Sequence, residues 1–137
     1  MAVYVLVPGA WSGGWQWRAV AAHLRAAGDE VFTPTLTGLG ERVHLAHSDI
    51  DLATHIQDIV NVIRFENLTD VILMGHSYGG MVITGVAECL PERLAHLIYV
   101  DAFVPQDGQS LADLLGPHVR DTATEVARQL GDGWRVP

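Results

Sequence analysis

Five consecutive residues, Gly75-His76-Ser77-Tyr78-Gly79, form a G-x-S-x-G pattern, the arrangement of a nucleophile elbow. The chemistry it prepares is covalent catalysis by a serine hydroxyl. Such a hydroxyl is presented where a strand turns at once into a helix. The corner residue then takes a strained conformation with φ above zero, and its side chain projects from the carboxyl end of the sheet. Side chains at Gly75 and Gly79 would collide with the flanking helix and strand, which accounts for glycine at both. The helix N-terminus directs its unpaired N–H groups and the positive end of its dipole at the same spot. The flanks supply both elements. Val71 to Met74 is apolar and reads as a buried parallel strand, and Met81 to Leu90 reads as a helix.

No other cluster competes with it. No His/Cys/Asp spacing suggests a metal site, and no glycine-rich phosphate loop of the nucleotide type is present, so no cofactor is expected. The single cysteine, Cys89, excludes an internal disulfide and fits a reducing compartment. Late in a helix with apolar neighbours, it is expected to be a buried structural thiol. The net charge of −8 comes without any basic cluster, which argues against nucleic acid as a partner. No signal-peptide pattern opens the chain and no apolar run is long enough for a membrane span, so a soluble cytoplasmic protein is expected.

The elements that must hold the elbow follow from patterning. At 137 residues, with 49% hydrophobic and 18% charged, the chain suits one domain with a real core. Val3 to Val7 reads as a strand ended by Pro8-Gly9, followed by a glycine-rich loop to Gly14. Trp15 to Ala27 reads as a helix closed by Gly28, and Glu30 to Thr33 as a short strand stopped by Pro34. A loop over 35–49 precedes a helix capped by Asp51 and running to about Phe65, with Leu52, Ile56, Ile59, Val60 and Ile63 as its apolar stripe. After the elbow and its helix, Pro91 blocks continuation and His96 to Val100 forms a fourth strand. Short helices over 111–115 and 117–130 come last. Strands alternating with helices predict a three-layer α/β/α fold on a mostly parallel sheet, with local strand order 2-1-3-4. The switch point between the first and third strands is where ligands bind in such sheets. The glycine loop and the Ser77 elbow both open there.

Three stretches carry a family resemblance. Val5 to Trp17, Thr35 to Arg42 (Thr-Leu-Thr-Gly-Leu-Gly-Glu-Arg) and Gly75 to Gly80 together resemble the α/β-hydrolase superfamily. Within it, they are similar to the small esterase and hydroxynitrile-lyase group that includes plant methyl esterases and bacterial homologues. The resemblance covers residues 1 to about 110, and it implies a core over 1–109 with the start of a helical cap over 110–137. It implies that Ser77 attacks an acyl carbonyl of a small ester, and that the N–H groups of Tyr78 and Ala10 bind the oxyanion. Gly9, Trp11 and His76 are candidate pocket residues. The lyase relatives carry Thr where this chain has Gly9, so the resemblance favours ester hydrolysis over cyanohydrin cleavage.

The resemblance also implies a histidine base and a carboxylate that follow the nucleophile in the chain, and their usual positions fall after Pro137. The chain thus resembles the N-terminal half of a family member, and by itself it is expected to be inactive. A non-catalytic fragment or small-molecule-binding module is the alternative. Among internal residues, Asp101, at the carboxyl end of the fourth strand, is the best local candidate acid. His44 and His47 lie in a carboxyl-edge loop. His76 is expected to pack or hydrogen-bond beneath the oxyanion loop, and His23, His55, His96 and His118 are read as structural or solvated. Trp11, Trp15 and Trp17 are read as either acyl-pocket lining or an anchor for the loop and first helix, Trp134 as cap core or pocket lining, and Arg42 as a surface ion pair or a substrate-carboxylate contact. Neither the substrate nor the oligomeric state follows from the sequence.

Overall fold

A computed structural model describes residues 1–137. They form two compact units, Met1–Val104 and Pro105–Pro137.

The first unit is built on four parallel strands: β1 (Val3–Val7), β2 (Glu30–Phe32), β3 (Val71–Ser77) and β4 (Leu94–Ala102), in the order β2-β1-β3-β4. This is the order expected from the alternation of strands and helices. Val5, Val7, Val71 and Leu73 are fully buried, as strands covered on both faces require. Three helices form the connections: α1 (Arg18–Ala26), α2 (Leu52–Phe65) and α3 (Gly79–Cys89). The larger core packs Ile59, Val60 and Ile63 of α2 and Val82, Ile83 and Val86 of α3 against β1 and β3. A smaller core on the opposite face holds Leu6, Trp17, Ala21 and Val31.

Local chemistry sets the boundaries. Asp51 caps α2 through a reciprocal box: its Oδ1 accepts from the Thr54 N–H at 3.1 Å, and the Thr54 hydroxyl accepts from the Asp51 N–H at 3.3 Å. Gly28 closes the α1 turn with φ +95°. The helix expected from Trp15 begins instead as a 3₁₀ turn, Gly14–Trp17, before α1. The loop expected over 35–49 contains a second 3₁₀ segment, Gly40–Leu45. Both β3 and β4 run beyond the apolar cores that marked them in the sequence. Cys89 is exposed rather than buried. The buried stripe of α3 passes through Val82, Ile83 and Val86 to Leu90, and Cys89, the last helical residue, falls on the outward side of that turn.

In the second unit, Ser110 and Asp113 make a capping box on α4 (Leu111–Leu115). Gly116, at φ +93°, turns the chain into α5 (Pro117–Leu130), where proline occupies the first helical position. Asp113 pairs with Arg120 and Glu125 with Arg128. No helix of the protein is long and apolar enough to cross a membrane.

Candidate active site

β3 ends and α3 begins with a single residue between them, so the chain reverses its backbone sense at Ser77, which has φ +53°. A non-glycine residue in this region carries strain of about 1–2 kcal/mol. The neighbouring glycines show why the corner closes this tightly. A Cβ on Gly75 would lie 2.6 Å from the Gly79 carbonyl oxygen at the start of α3, and one on Gly79 would lie 2.7 Å from the Val7 carbonyl oxygen of β1. Gly80 is pressed against the Phe103 backbone and Ala102 in the same way. The helix is thereby drawn down onto the strand ends, with its first N–H groups beside Ser77.

β4 repeats the strain next door. The ladder pairs His76 with Val100 and then Ser77 with Ala102, so Asp101 is the extra residue of a bulge. It takes φ +44° and is exposed. The Phe103 N–H donates to the Ser77 carbonyl oxygen at 3.2 Å, fixing the bulge to the elbow.

The loop after β1 lies directly against this corner. A Cβ on Gly9 would sit 3.3 Å from Ser77 Cβ and 3.2 Å from His76 Nδ1. Gln16 holds the loop there. Its Oε1 accepts from the Gly9 N–H at 3.2 Å, so its amide nitrogen faces His76 Nδ1 at 3.1 Å. Nδ1 must therefore accept, which leaves the imidazole proton on Nε2. The ring also meets Trp17 edge to face, with centroids 6.4 Å apart. His76 is thus engaged under the loop, as its position next to Ser77 suggested. The N–H groups of Ala10 and Tyr78 make no turn, loop or cap hydrogen bond within the chain.

A second brace comes from residues 35–42. Thr35 Oγ1 accepts from the Gly14 N–H at 2.8 Å and donates to the Glu41 carboxylate, whose oxygens lie 2.9 and 2.8 Å away. That hydroxyl bond first, then a bond from Glu41's own backbone N–H and a smaller contribution from the Trp15 side chain, hold the Glu41 carboxyl below the usual carboxylate range. Arg42 donates to the Thr35 carbonyl oxygen at 2.8 Å. It is therefore part of this brace, and no ion pair joins it to a carboxylate.

A third network runs from the elbow into α2. His55 is buried, with Nδ1 2.7 Å from the Tyr78 hydroxyl and Nε2 2.8 Å from the Thr37 carbonyl oxygen. A carbonyl only accepts, so Nε2 donates and the Tyr78 hydroxyl donates to Nδ1. Thr37 is fixed in turn by Asp58, whose carboxylate accepts its N–H at 2.6 Å and its hydroxyl at 2.7 Å. Burial raises the Tyr78 phenol well above its ordinary value, so it stays a donor.

The remaining candidates are dispersed. Trp17 is core, whereas Trp11 and Trp15 are 66% and 50% exposed. Trp11 also has positive φ, at +57°. Trp134, in the second unit, is exposed rather than cap core. His44 and His47 are exposed, and His47 Nδ1 accepts from the Asp49 N–H at 3.3 Å. Sequence reasoning singled out neither Gln16 nor a specific role for His55. His55 lies one turn before Ile59 and beside Leu52 on the apolar stripe of α2, and that spacing marks it as inward-facing. Nothing in the sequence marks Gln16.

The match to known proteins is consistent with this geometry. The alpha/beta hydrolase family model matches residues 4–137. A carbendazim hydrolyzing esterase from Nocardioides sp. (strain SG-4G) is 56% identical over 115 residues, covering 84% of this chain and 48% of that protein. Methylesterase 7 of Arabidopsis thaliana is 30% identical over 125 residues, covering 90% of this chain and 48% of the relative. The chain therefore spans about half the length of these relatives. An extracellular alpha/beta-hydrolase from a Paenibacillus species superposes with a TM-score of 0.85 at 32% identity, covering 97% of this chain and 53% of that structure. With a parallel sheet in the order β2-β1-β3-β4 and a family match that runs along nearly the whole chain, the protein belongs to the alpha/beta hydrolase family.

Proposed function

We propose that the complete protein is a serine carboxylesterase acting on small esters, with Ser77 as its nucleophile. The observation that carries this reading is the Ser77 corner itself, strained at φ +53° at the start of α3 with Gly9 packed against it. The Ser77 hydroxyl attacks the ester carbonyl and passes its proton to a histidine. The carbonyl oxygen becomes an oxyanion held by the N–H groups of Tyr78 and Ala10, each worth about 3–4 kcal/mol in the transition state. The alcohol leaves with the proton returned by the histidine, and water then releases the acid from the acyl-enzyme. The esterase names of the relatives support this class. Gly9 offers no hydroxyl for the lyase alternative. A fluorophosphonate probe on the full-length protein should label Ser77, and Ser77→Ala should abolish hydrolysis of p-nitrophenyl esters. Unlabelled protein, with ester hydrolysis unchanged by Ser77→Ala, would overturn it.

A second reading concerns residues 1–137 alone. No histidine hydrogen-bonds the Ser77 hydroxyl: His76 is held by Gln16 and His55 by Tyr78 and Thr37. A serine hydroxyl without a base is a poor nucleophile. The histidine and its carboxylate are accordingly assigned to residues outside these 137, and this polypeptide alone is expected to bind but not turn over esters. Ser77-dependent turnover of a p-nitrophenyl ester by the 137-residue polypeptide would refute that.

A further inference from the structure

We propose that His55 is a positioning residue for the oxyanion hole, acting through the side chain of Tyr78. The inference rests on the reading of Ser77 as nucleophile and Tyr78 N–H as oxyanion donor. Tyr78 is the single residue between β3 and α3, so its main-chain N–H and its side chain leave the same corner. The side chain leaves the corner and enters the larger core, where its only polar atom donates to His55 Nδ1 at 2.7 Å. The two rings meet edge to face with centroids 5.6 Å apart, which fixes their mutual angle as well as their separation. His55 is anchored at its other nitrogen by the Thr37 carbonyl, and Thr37 is clamped at two atoms by Asp58. Both ends of the chain of bonds thus return to α2: His55 and Asp58 are one turn apart on it, with Thr37 held between them.

This geometry bears on the donor because an oxyanion hole works only when its N–H groups are aimed before the charge develops. Strain at Ser77 pulls the corner toward a relaxed backbone. Tyr78 has ordinary helical angles, φ −53° and ψ −30°, and its carbonyl oxygen accepts from the Met81 N–H at 2.9 Å, which ties the residue to α3 on the side away from its own N–H. The phenol held at His55 adds a second hold, on the side chain. Each member of the network is satisfied: the phenol donates once, the imidazole accepts once and donates once, and the carbonyl accepts. A phenylalanine at 78 would leave Nδ1 buried without a partner and the ring free to shift.

The test uses full-length protein and four variants: Ser77→Ala, Tyr78→Phe, His55→Asn and His55→Gln. Steady-state kinetics with a p-nitrophenyl ester are measured alongside the fluorophosphonate labelling rate and the thermal midpoint. Tyr78→Phe is expected to lower kcat about 10-fold, part of the 10²–10³ lost when a donor is removed outright, with KM unchanged. The labelling rate should fall in parallel, because the phosphonyl oxygen occupies the same hole. Asn places its oxygen near the Nδ1 position and keeps an acceptor for Tyr78; Gln places its nitrogen near the Nε2 position and keeps only the Thr37 bond. His55→Asn should therefore retain several-fold more kcat than His55→Gln, even where both lower the thermal midpoint equally. Reduced midpoints with kcat and labelling unchanged well below them would show a purely structural role and overturn the proposal, as would a Gln variant matching Asn. Wild-type protein that fails to label, or Ser77→Ala with full activity, refutes the underlying nucleophile reading instead.

Discussion

At the Ser77 corner, where alanine is strained, glycine is expected to stabilise the protein relative to alanine. At an ordinary strand position, replacing Ala by Gly costs about 0.5–1 kcal/mol, because the unfolded chain gains freedom. Ser77 sits at φ +53°, where a Cβ meets the carbonyl oxygen at a cost of about 1–2 kcal/mol. Glycine removes that cost and gives back about 0.4–1 kcal/mol through the unfolded state. It also loses a methyl that is only half-buried, a further few tenths by the usual value of about 0.8 kcal/mol per fully buried carbon. The net is about 0.5 kcal/mol in favour of Ser77→Gly over Ser77→Ala. Comparing these two variants, both without the hydroxyl, isolates the backbone. With a urea slope of about 1–3 kcal/mol/M, the midpoint should move up by about 0.2–0.5 M. Ala22, exposed in the interior of α1 with no positive φ, provides the control: Ala22→Gly should move the midpoint down. Ser77→Gly falling below Ser77→Ala by as much as the Ala22 control would refute a strained elbow, and with it the physical basis for how Ser77 is presented.

Two further outcomes follow from the braces and the sheet edge. The Glu41 carboxyl is held below its ordinary value of 4.5 in the folded state, so it contributes stability above that value and loses it as pH falls through the folded one. The stability gap between wild type and Glu41→Gln, read from urea midpoints, should be constant from about pH 7 to about pH 5 and shrink toward about pH 3; a gap that does not change on acidification would exclude the Thr35–Glu41 bond as its source. At the other side of the sheet, β4 is paired only with β3, and its Leu97, Ile98 and Val100 are each more than a third exposed. A polypeptide of residues 1–137 should therefore self-associate through this edge, and Ile98→Lys should shift its sedimentation toward monomer without lowering its thermal midpoint. Equal association by the two would place the contact elsewhere.

Much of the fold was legible because it rests on short-range signals. Buried parallel strands betray themselves as unbroken apolar runs, and Asp51, Gly28, Ser110 and Pro117 punctuate the helices by local chemistry that needs no tertiary context. The strand order followed from connection rules alone. The elbow was legible for a different reason: at Gly75 and Gly79 the approach of strand to helix leaves no room for a Cβ, so sterics write the geometry directly into residue type. What stayed hidden was contact across loops. The 3₁₀ turns at Gly14 and Gly40 leave no periodic trace, and Arg42 reads as a surface charge until the Thr35 carbonyl is brought beneath it. Cys89 misled for the reason helix ends often do: an apolar neighbourhood in sequence does not say where the last turn leaves the core.

The hidden contacts share one logic. Gln16–His76, Thr35–Glu41–Arg42 and Tyr78–His55–Thr37–Asp58 each join a loop at the carboxyl end of the sheet to an element that the core already fixes. Loops there carry strained or positive-φ residues at Trp11, Gly38, Gly40, Ser77 and Asp101. Hydrophobic burial cannot hold such segments, because a loop buried by apolar contact alone would strand its own N–H and C=O groups. Polar side chains with two functional ends can hold them, each satisfying one loop group and one partner at once. The sequence signature of this solution is a bifunctional polar residue on an otherwise apolar face, and His55, on the stripe between Leu52 and Ile59, is the position in this chain where that signature was present to be read.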